Sequence, residues 1–344
     1  MSAKKQILVT GGTGYIGSHT VVELLAAGYE PIIVDNLSNS SAKIIDQIEK
    51  ITGVVPVFQQ LDLCDEKDTK DFIDSHPAIS GLIHFAAFKA VGESVAEPLK
   101  YYKNNFYSLI NLLNTFAERP VNFVFSSSCT VYGQPKHLPV SEDAPVQPAE
   151  SPYGNTKQIA EELLRDTAKV SKNLNIISLR YFNPVGAHAS ALIGELPIGI
   201  PQNLVPFITQ TAIGKRESLT VFGDDYHTPD GSCIRDYIHV VDLAKAHIAA
   251  LEALQLDKTS NYDVFNIGTG KGSSVLEVIE AFEKVSGEKL NYTIGPRRPG
   301  DIEQIWGEVK KAEQKLGWKA ELDLEEMMRS AWAWEQYLAE HPIV

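Results

Sequence analysis

Along the first half of the chain, short apolar runs rich in Val, Ile and Phe alternate with longer stretches in which apolar positions recur at helical spacing. The short runs are QILVT (6–10), PIIVD (31–35), VVPVFQQLD (54–62), GLIHFAA (81–87), VNFVFSSS (121–128) and NIISLRYF (175–182). Helical patterns lie between them at 18–28, 41–53, 65–76, from Glu93 to Glu118 and from Pro152 to Lys172, with Gly28 as a helix end. Near-continuous apolar strands separated by helices predict parallel pairing, hence a doubly wound α/β sheet covered on both faces. After Asn183-Pro184 a Gly- and Pro-rich stretch breaks the rhythm, and helix and strand mix less regularly to the carboxyl end. The pattern therefore predicts a sheet domain over 1–185 and a smaller mixed α/β lobe over 186–344, some segments of which return to the first domain. No internal repeat or low-complexity tract interrupts it.

Composition narrows the class. The 344 residues are 44% hydrophobic and 22% charged, as a globular chain with a substantial core requires. A net charge of -13 lacks the basic footprint of a nucleic-acid or membrane-surface binder, so an anionic ligand must be held by local groups. Cys64, Cys129 and Cys233 are odd in number and show no paired metal spacing, which predicts free thiols and no metal site. The amino-terminal segment has only a short apolar run before its glycines, and no run of 18 apolar residues follows. Neither a signal peptide nor a membrane span is expected, and the expected location is the cytoplasm.

The first apolar run leads into TGGTGYIGSH (10–19), which fits a Gly-x-Gly-x-x-Gly pattern on Gly12, Gly14 and Gly17 and a second frame beginning at Gly11. Glycines between a strand and a helix allow a tight turn and close approach of backbone amides to a pyrophosphate at the helix's positive end. The second apolar run ends in Asp35, 18 residues after Gly17. A carboxylate there accepts hydrogen bonds from an adenosine ribose and repels a 2'-phosphate, so the predicted ligand of this Rossmann-type unit is NAD rather than NADP.

Two Tyr-x-x-x-Lys spacings occur. In Tyr132-Gly-Gln-Pro-Lys136 the glycine and proline oppose a helix, so the two side chains need not share a face. In SPYGNTK (151–157), Ser151 suits a cap and Pro152 a first helical position, which stacks Tyr153 and Lys157 on one face. Ser128 ends the fifth apolar run, at the sheet edge where such folds hold ligands. A phenol acts as a base near neutrality only beside a cation, the role open to Lys157.

This serine, tyrosine and lysine set resembles the short-chain dehydrogenase/reductases. The segments VTGGTGYIGSHT, IHFAAFKAVGESV, FSSSCTVYG, SPYGNTK, LRYFNPVGAH, GIPQNL, IRDYIHVVDLA and RRPGD, in that order, are similar to the UDP-glucose 4-epimerase family of extended members. The resemblance implies catalysis by Ser128, Tyr153 and Lys157. It implies NAD contacts from Gly11, Gly14, Tyr15, Ile16 and Gly17 in the loop, and from Asp35, Asn36, Asn39 and Ser40 after the second strand. Asp62 and Leu63 would face the adenine, and Phe85, Ala86 and Lys89 the phosphates and ribose. Asn104, Ser126, Tyr181 and Pro184 complete the implied cofactor pocket. For a UDP-sugar it implies Lys89, Asn183, Asn203, Leu204, Thr220, Phe222, Arg235, Tyr237, Arg298, Asp301 and Ile305, besides Ser128 and Tyr153.

The residue types suit that assignment: guanidinium forks match a diphosphate, and with only eight arginines the neighbours Arg297 and Arg298, together with Arg235, are the candidates. The implied reaction is inversion of C4 of UDP-glucose and UDP-galactose through a transient 4-keto sugar, redox-neutral, in a homodimer built through helices of the first domain. Nucleotide-sugar 4,6-dehydratases begin with the same oxidation but usually need an Asp-Glu pair beyond the strand. Here Cys129 and Thr130 follow Ser128. In the family, a small residue at the place of Ile305 admits N-acetylated hexosamines and a bulky aromatic excludes them. Ile305 is intermediate, so the plain sugars are the expected substrates.

Overall fold

The computed structural model describes residues 4–256, 261–298 and 301–343. Six parallel strands come from the first half: β1 Gln6–Thr10, β2 Glu30–Asp35, β3 Val57–Gln60, β4 Ile79–His84, β5 Val121–Ser128 and β6 Leu174–Tyr181. Beyond them lie the short strands β7 Asn183–Val185, β8 Leu219–Phe222, β9 Ile234–Arg235 and β10 Tyr237–His239, then β11 Tyr262–Ile267. The chain's last strands are β12 Ser273–Ser274, β13 Tyr292–Gly295 and β14 Gln304–Ile305. The main sheet has the order β11-β6-β5-β4-β1-β2-β3, and every pairing is parallel. It is the predicted doubly wound sheet, with its seventh strand, β11, drawn from beyond residue 185.

Helices α1 Tyr15–Ala26, α2 Lys43–Thr52, α3 Glu66–Ser75, α4 Val91–Ala96, α5 Pro98–Phe116 and α6 Pro152–Val170 connect the first strands. Later helices are α7 Leu204–Ala212, α8 Val240–Gln255, α9 Val275–Ser286, α10 Lys310–Leu316 and α11 Leu324–Glu340. The strands' period of two splits the core cleanly. Ile7 and Val9 pack with α1, α2 and α8 on one face, while Leu8 between them packs with α3, α5 and α6 on the other. A third core, around Val221, Phe282 and Met328, holds β8, α7, α9 and α11 together.

The pattern from Glu93 to Glu118 resolves into two helices rather than one. Pro98 has no amide to donate and disfavours helical geometry before it. Glu97 accordingly turns out of the helix, at φ -128° and ψ 59°, and Pro98 opens α5.

The sheet order reverses between β1 and β4. The carboxyl ends of β1, β2, β4 and β5 therefore open toward one crevice, the place where this class of sheet accommodates ligands.

Candidate active site

At that edge lies a cleft of about 1350 Å³, bounded by the glycine loop, the ends of β2, β4 and β5, the start of α6, and segments of the second lobe. The loop's geometry is set by close backbone packing. Gly11 has φ 70°, and a Cβ there would stand 2.9 Å from the Ala86 amide; one at Gly17 would meet the Gly11 carbonyl at 2.2 Å. No side chain caps α1, whose N-cap is Gly14, so its first-turn amides are available to a ligand. Asp35 is buried at the tip of β2 and accepts from the Thr13 amide (3.3 Å), the Leu37 amide (2.9 Å) and Ser40 Oγ (3.0 Å). Its carboxylate thereby joins the loop to the segment after β2. A glycine cradle closed to any Cβ, an uncapped helix start and an adjacent fixed carboxylate fit a dinucleotide.

The chemistry-bearing residues meet where α6 leans on β5. Ser151 caps α6 through the Gly154 amide (3.1 Å) and Pro152 occupies its first position, so Tyr153 and Lys157 stack as the spacing predicts. Lys157 is 5% exposed, donates to the Ser126 carbonyl at 2.7 Å, and holds its Nζ 6.0 Å from the Tyr153 ring centroid. Burial pushes the Lys157 ammonium down to about 8, and the Glu161 carboxylate pulls the other way. Tyr153 is itself buried. Burial raises its phenol well above the usual value, Tyr181 adds to that, and a Ser128 hydrogen bond opposes it. Ser128 lies at the end of β5, and its Oγ accepts from the Thr130 amide at 3.2 Å. Ser126 Oγ and the Tyr181 hydroxyl are 2.7 Å apart.

The cleft wall gathers most of the predicted site: Gly11, Gly14, Tyr15, Ile16 and Gly17; Asp35, Asn36, Asn39 and Ser40; Asp62 and Leu63; Phe85, Ala86, Lys89 and Asn104; and Ser126, Tyr153, Lys157 and Tyr181. From the second lobe it gathers Asn203, Arg235, Arg298, Asp301 and Ile305, with Asn183 between. Arg298 lies against Asp301, with Nη2 2.7 Å from Oδ1, and Arg235 reaches the same oxygen at 4.0 Å. Pro184, Leu204, Thr220, Phe222 and Tyr237 stand off the wall, while Ser128 is buried at the end of β5 beside the Tyr153 phenol that it hydrogen-bonds. Tyr237 is buried, and Phe222 is an exposed ring under Arg298, 5.6 Å away. Pro299 and Gly300 of RRPGD lie outside the described residues.

Two sequence candidates turn elsewhere. Arg297 binds Asp225 at 2.6 Å and stacks on Tyr226, away from the cleft. Tyr132 is buried in a 3-10 turn with its hydroxyl on Asn266 (2.6 Å), while Lys136 is exposed, so that second Tyr-Lys spacing joins nothing. Sequence reasoning also passed over Glu195, a cleft carboxylate that accepts from Asn203 Nδ2 at 2.6 Å and lies 3.6 Å from Lys89. Nothing in its local spacing marks it, because Lys89 is remote in sequence and Asn203, eight residues on, is brought back to it across an irregular Gly- and Pro-rich loop rather than by a helix or strand period. Among the described residues no cluster of ligating side chains could hold a metal.

Residues 8–331 fit the family model described as GDP-mannose 4,6 dehydratase. The chain is 50% identical to UDP-glucose 4-epimerase 2 of Arabidopsis thaliana over 334 residues, 96% of this chain and 95% of that protein. It is also 50% identical to UDP-glucose 4-epimerase of Bacillus subtilis (strain 168) over 330 residues, 96% of each. The chain belongs to the UDP-glucose 4-epimerase family. A solved member, the Stenotrophomonas maltophila UDP-glucose-4-epimerase with bound NAD and formylated UDP-arabinopyranose, is 48% identical with a TM-score of 0.94, covering 98% of this chain and 99% of that one. Another 4-epimerase, from Bifidobacterium longum in complex with NAD+ and UDP, is 47% identical with a TM-score of 0.91 over the same shares.

Proposed function

We propose that this chain is an isomerase that interconverts UDP-glucose and UDP-galactose by inverting C4, with NAD held throughout. The carrying observation is the placement of Lys157 Nζ on the Ser126 carbonyl beside Tyr153, with Ser128 ending the same strand. When bound, NAD supplies a hydride acceptor that later returns the hydride, and a positively charged ring. The glycine loop and Asp35 are the residues proposed to hold it. Tyr153 takes the proton of the sugar 4-hydroxyl. Burial opposes its phenolate, so the Lys157 ammonium, largely protonated at neutral pH, must offset that cost. Ser128 hydrogen-bonds the same oxygen and relays the proton. Arg235 and Arg298 grip the diphosphate, leaving the sugar free to turn its other face to the cofactor.

The dehydratase reading, which shares the fold and the first oxidation, finds less support. Expelling a C6 hydroxyl needs an acid and a base beyond Ser128, and Cys129 and Thr130 are neither. Burial pushes the Cys129 thiol up to about 12, leaving it un-ionised. The three cysteines are free thiols, as a reducing, cytoplasmic setting requires, and no described helix is long and apolar enough to cross a membrane. For a homodimer, the supporting surface is α5 and α6, where Leu99, Tyr107, Ile110 and Val170 are exposed apolar side chains. The test is incubation with UDP-galactose and chromatography of the nucleotide sugars. Formation of UDP-glucose is expected, and accumulation of a 4-keto-6-deoxy product instead would contradict the reading.

A further inference from the structure

The face of α6 that carries Tyr153 and Lys157 continues one turn further, to Glu161, by the same spacing of four residues. Glu161 is almost fully buried, where an ionised carboxylate needs compensation. It has that compensation from two strands. Arg180, near the end of β6, meets it with Nε at 3.0 Å from one carboxylate oxygen and Nη2 at 2.6 Å from the other. Ser127, in β5 between Ser126 and Ser128, donates its hydroxyl to Glu161 at 2.5 Å. Arg180 is also buried, covers the Tyr132 ring at 4.8 Å and donates to the Glu142 carbonyl at 3.3 Å. Burial alone would lower its pKa, but the hydrogen bond and charge of Glu161 outweigh that and keep it cationic.

We propose that Glu161 is a positioning residue for the Tyr153–Lys157 pair: it pins α6 to the three-serine end of β5 and supplies the buried negative charge that keeps Lys157 protonated. The inference rests on the epimerase reading of that pair. The pinning follows from geometry. Ser127 bonds Glu161 while the carbonyl of its neighbour Ser126 bonds Lys157, so two bonds, one helical turn apart, fix α6 against β5. The electrostatic part follows from what faces Lys157. His84, from β4, is held neutral by burial and by Lys157 itself, its pKa pushed down to about 3. From β6, Tyr181 is held un-ionised, pushed up to about 12 by burial. On α6, Tyr153 is the group that must lose its proton, and Glu161 is the charge that raises Lys157. Arg180 lies beyond Glu161 and attenuates that charge without cancelling it.

The test is the pH dependence of kcat/KM for UDP-galactose in wild type, Glu161→Gln, Glu161→Asp and the double variant Glu161→Gln/Arg180→Met. Glu161→Gln keeps the shape but loses the charge, so the alkaline limb, set by loss of the Lys157 proton, should move to lower pH by about one unit. Glu161→Asp keeps the charge and shortens the reach, so kcat should fall while the limb stays at its wild-type position. A purely structural role shares the loss with the shorter acid but predicts no movement of the limb with the isosteric glutamine. The double variant leaves no unpaired buried charge, and its limb should lie between those of wild type and Glu161→Gln. If Glu161→Gln does not fold, as judged by thermal unfolding, the double variant carries the test. A wild-type limb in the folded charge-free variants overturns the proposal, as does failure of both to fold, which would assign the pair to stability alone. Absence of epimerisation in the wild type would instead remove the epimerase reading itself.

Discussion

Replacing Tyr153 by Phe deletes the oxygen proposed to accept the proton and keeps the ring, so turnover should fall roughly 10²- to 10⁴-fold with the thermal unfolding midpoint little changed. Near-normal epimerisation would remove Tyr153 from its role. Lys157→Met should cost activity and NAD retention together, read from the cofactor released on denaturing the purified protein. Ile305 offers a specificity test. It is 2% exposed on the cleft side of a cluster with Val131, Tyr132, Val140 and Phe182, so its side chain cannot swing aside for an acetamido group. Ile305→Gly should raise kcat/KM for UDP-N-acetylgalactosamine relative to UDP-galactose, by an amount worth about 1–3 kcal/mol. An unchanged ratio would take Ile305 out of the account. At this scale the sequence was legible where a function uses near neighbours: Tyr153 with Lys157, and the glycine loop with Asp35. It was not legible for Glu195, which an irregular loop folds onto Asn203 and Lys89, or for the Arg180 partner of Glu161, because those contacts join different elements and follow no helix or strand period. Arg297 shows the converse, since adjacency to Arg298 could not tell which of the two faces the cleft.

Among the elements, helix starts were readable because capping chemistry is local. Ser151 and Pro152 mark the first turn of α6 in sequence and perform those roles in the structure. Ser151→Ala should therefore cost about 1 kcal/mol of stability and loosen the turn that carries Tyr153. Denaturant unfolding checks the first effect, and a reduced kcat at unchanged stability would assign Ser151 to the chemistry rather than to the cap. The uncapped start of α1 is the contrasting case, a helix end left free at the crevice. Periodicity alone ran α4 and α5 together, because apolar spacing continues through Glu97 while Pro98 breaks the backbone. Strand β11 was similarly hidden. What makes it the seventh member of the main sheet is its pairing with β6, which no local pattern encodes.

For the molecule as a whole, four buried histidines set an acid limit on stability. Burial is the leading cause at each, pushing His19 and His84 down to about 3 and His239 and His247 down to about 4. Unfolded, each would titrate near 6.5. The stability tied to their neutral state is thus complete above about pH 6.5 and drains away as the pH falls toward those depressed values, with protons taken up on unfolding. The urea midpoint should fall steadily between pH 6.5 and 4, and a flat midpoint over that range would contradict the burial. The central claim concerns the cleft between the sheet edge and the second lobe, where a redox cycle closes on itself. The most direct test is to incubate the purified protein with UDP-galactose, adding no cofactor, while following both sugar identity and absorbance at 340 nm. The account predicts equilibration with UDP-glucose, supported by co-purified NAD, and no steady growth of reduced nicotinamide. Failure to interconvert the two sugars when NAD is bound, or stoichiometric accumulation of reduced cofactor with an oxidised sugar, would contradict it.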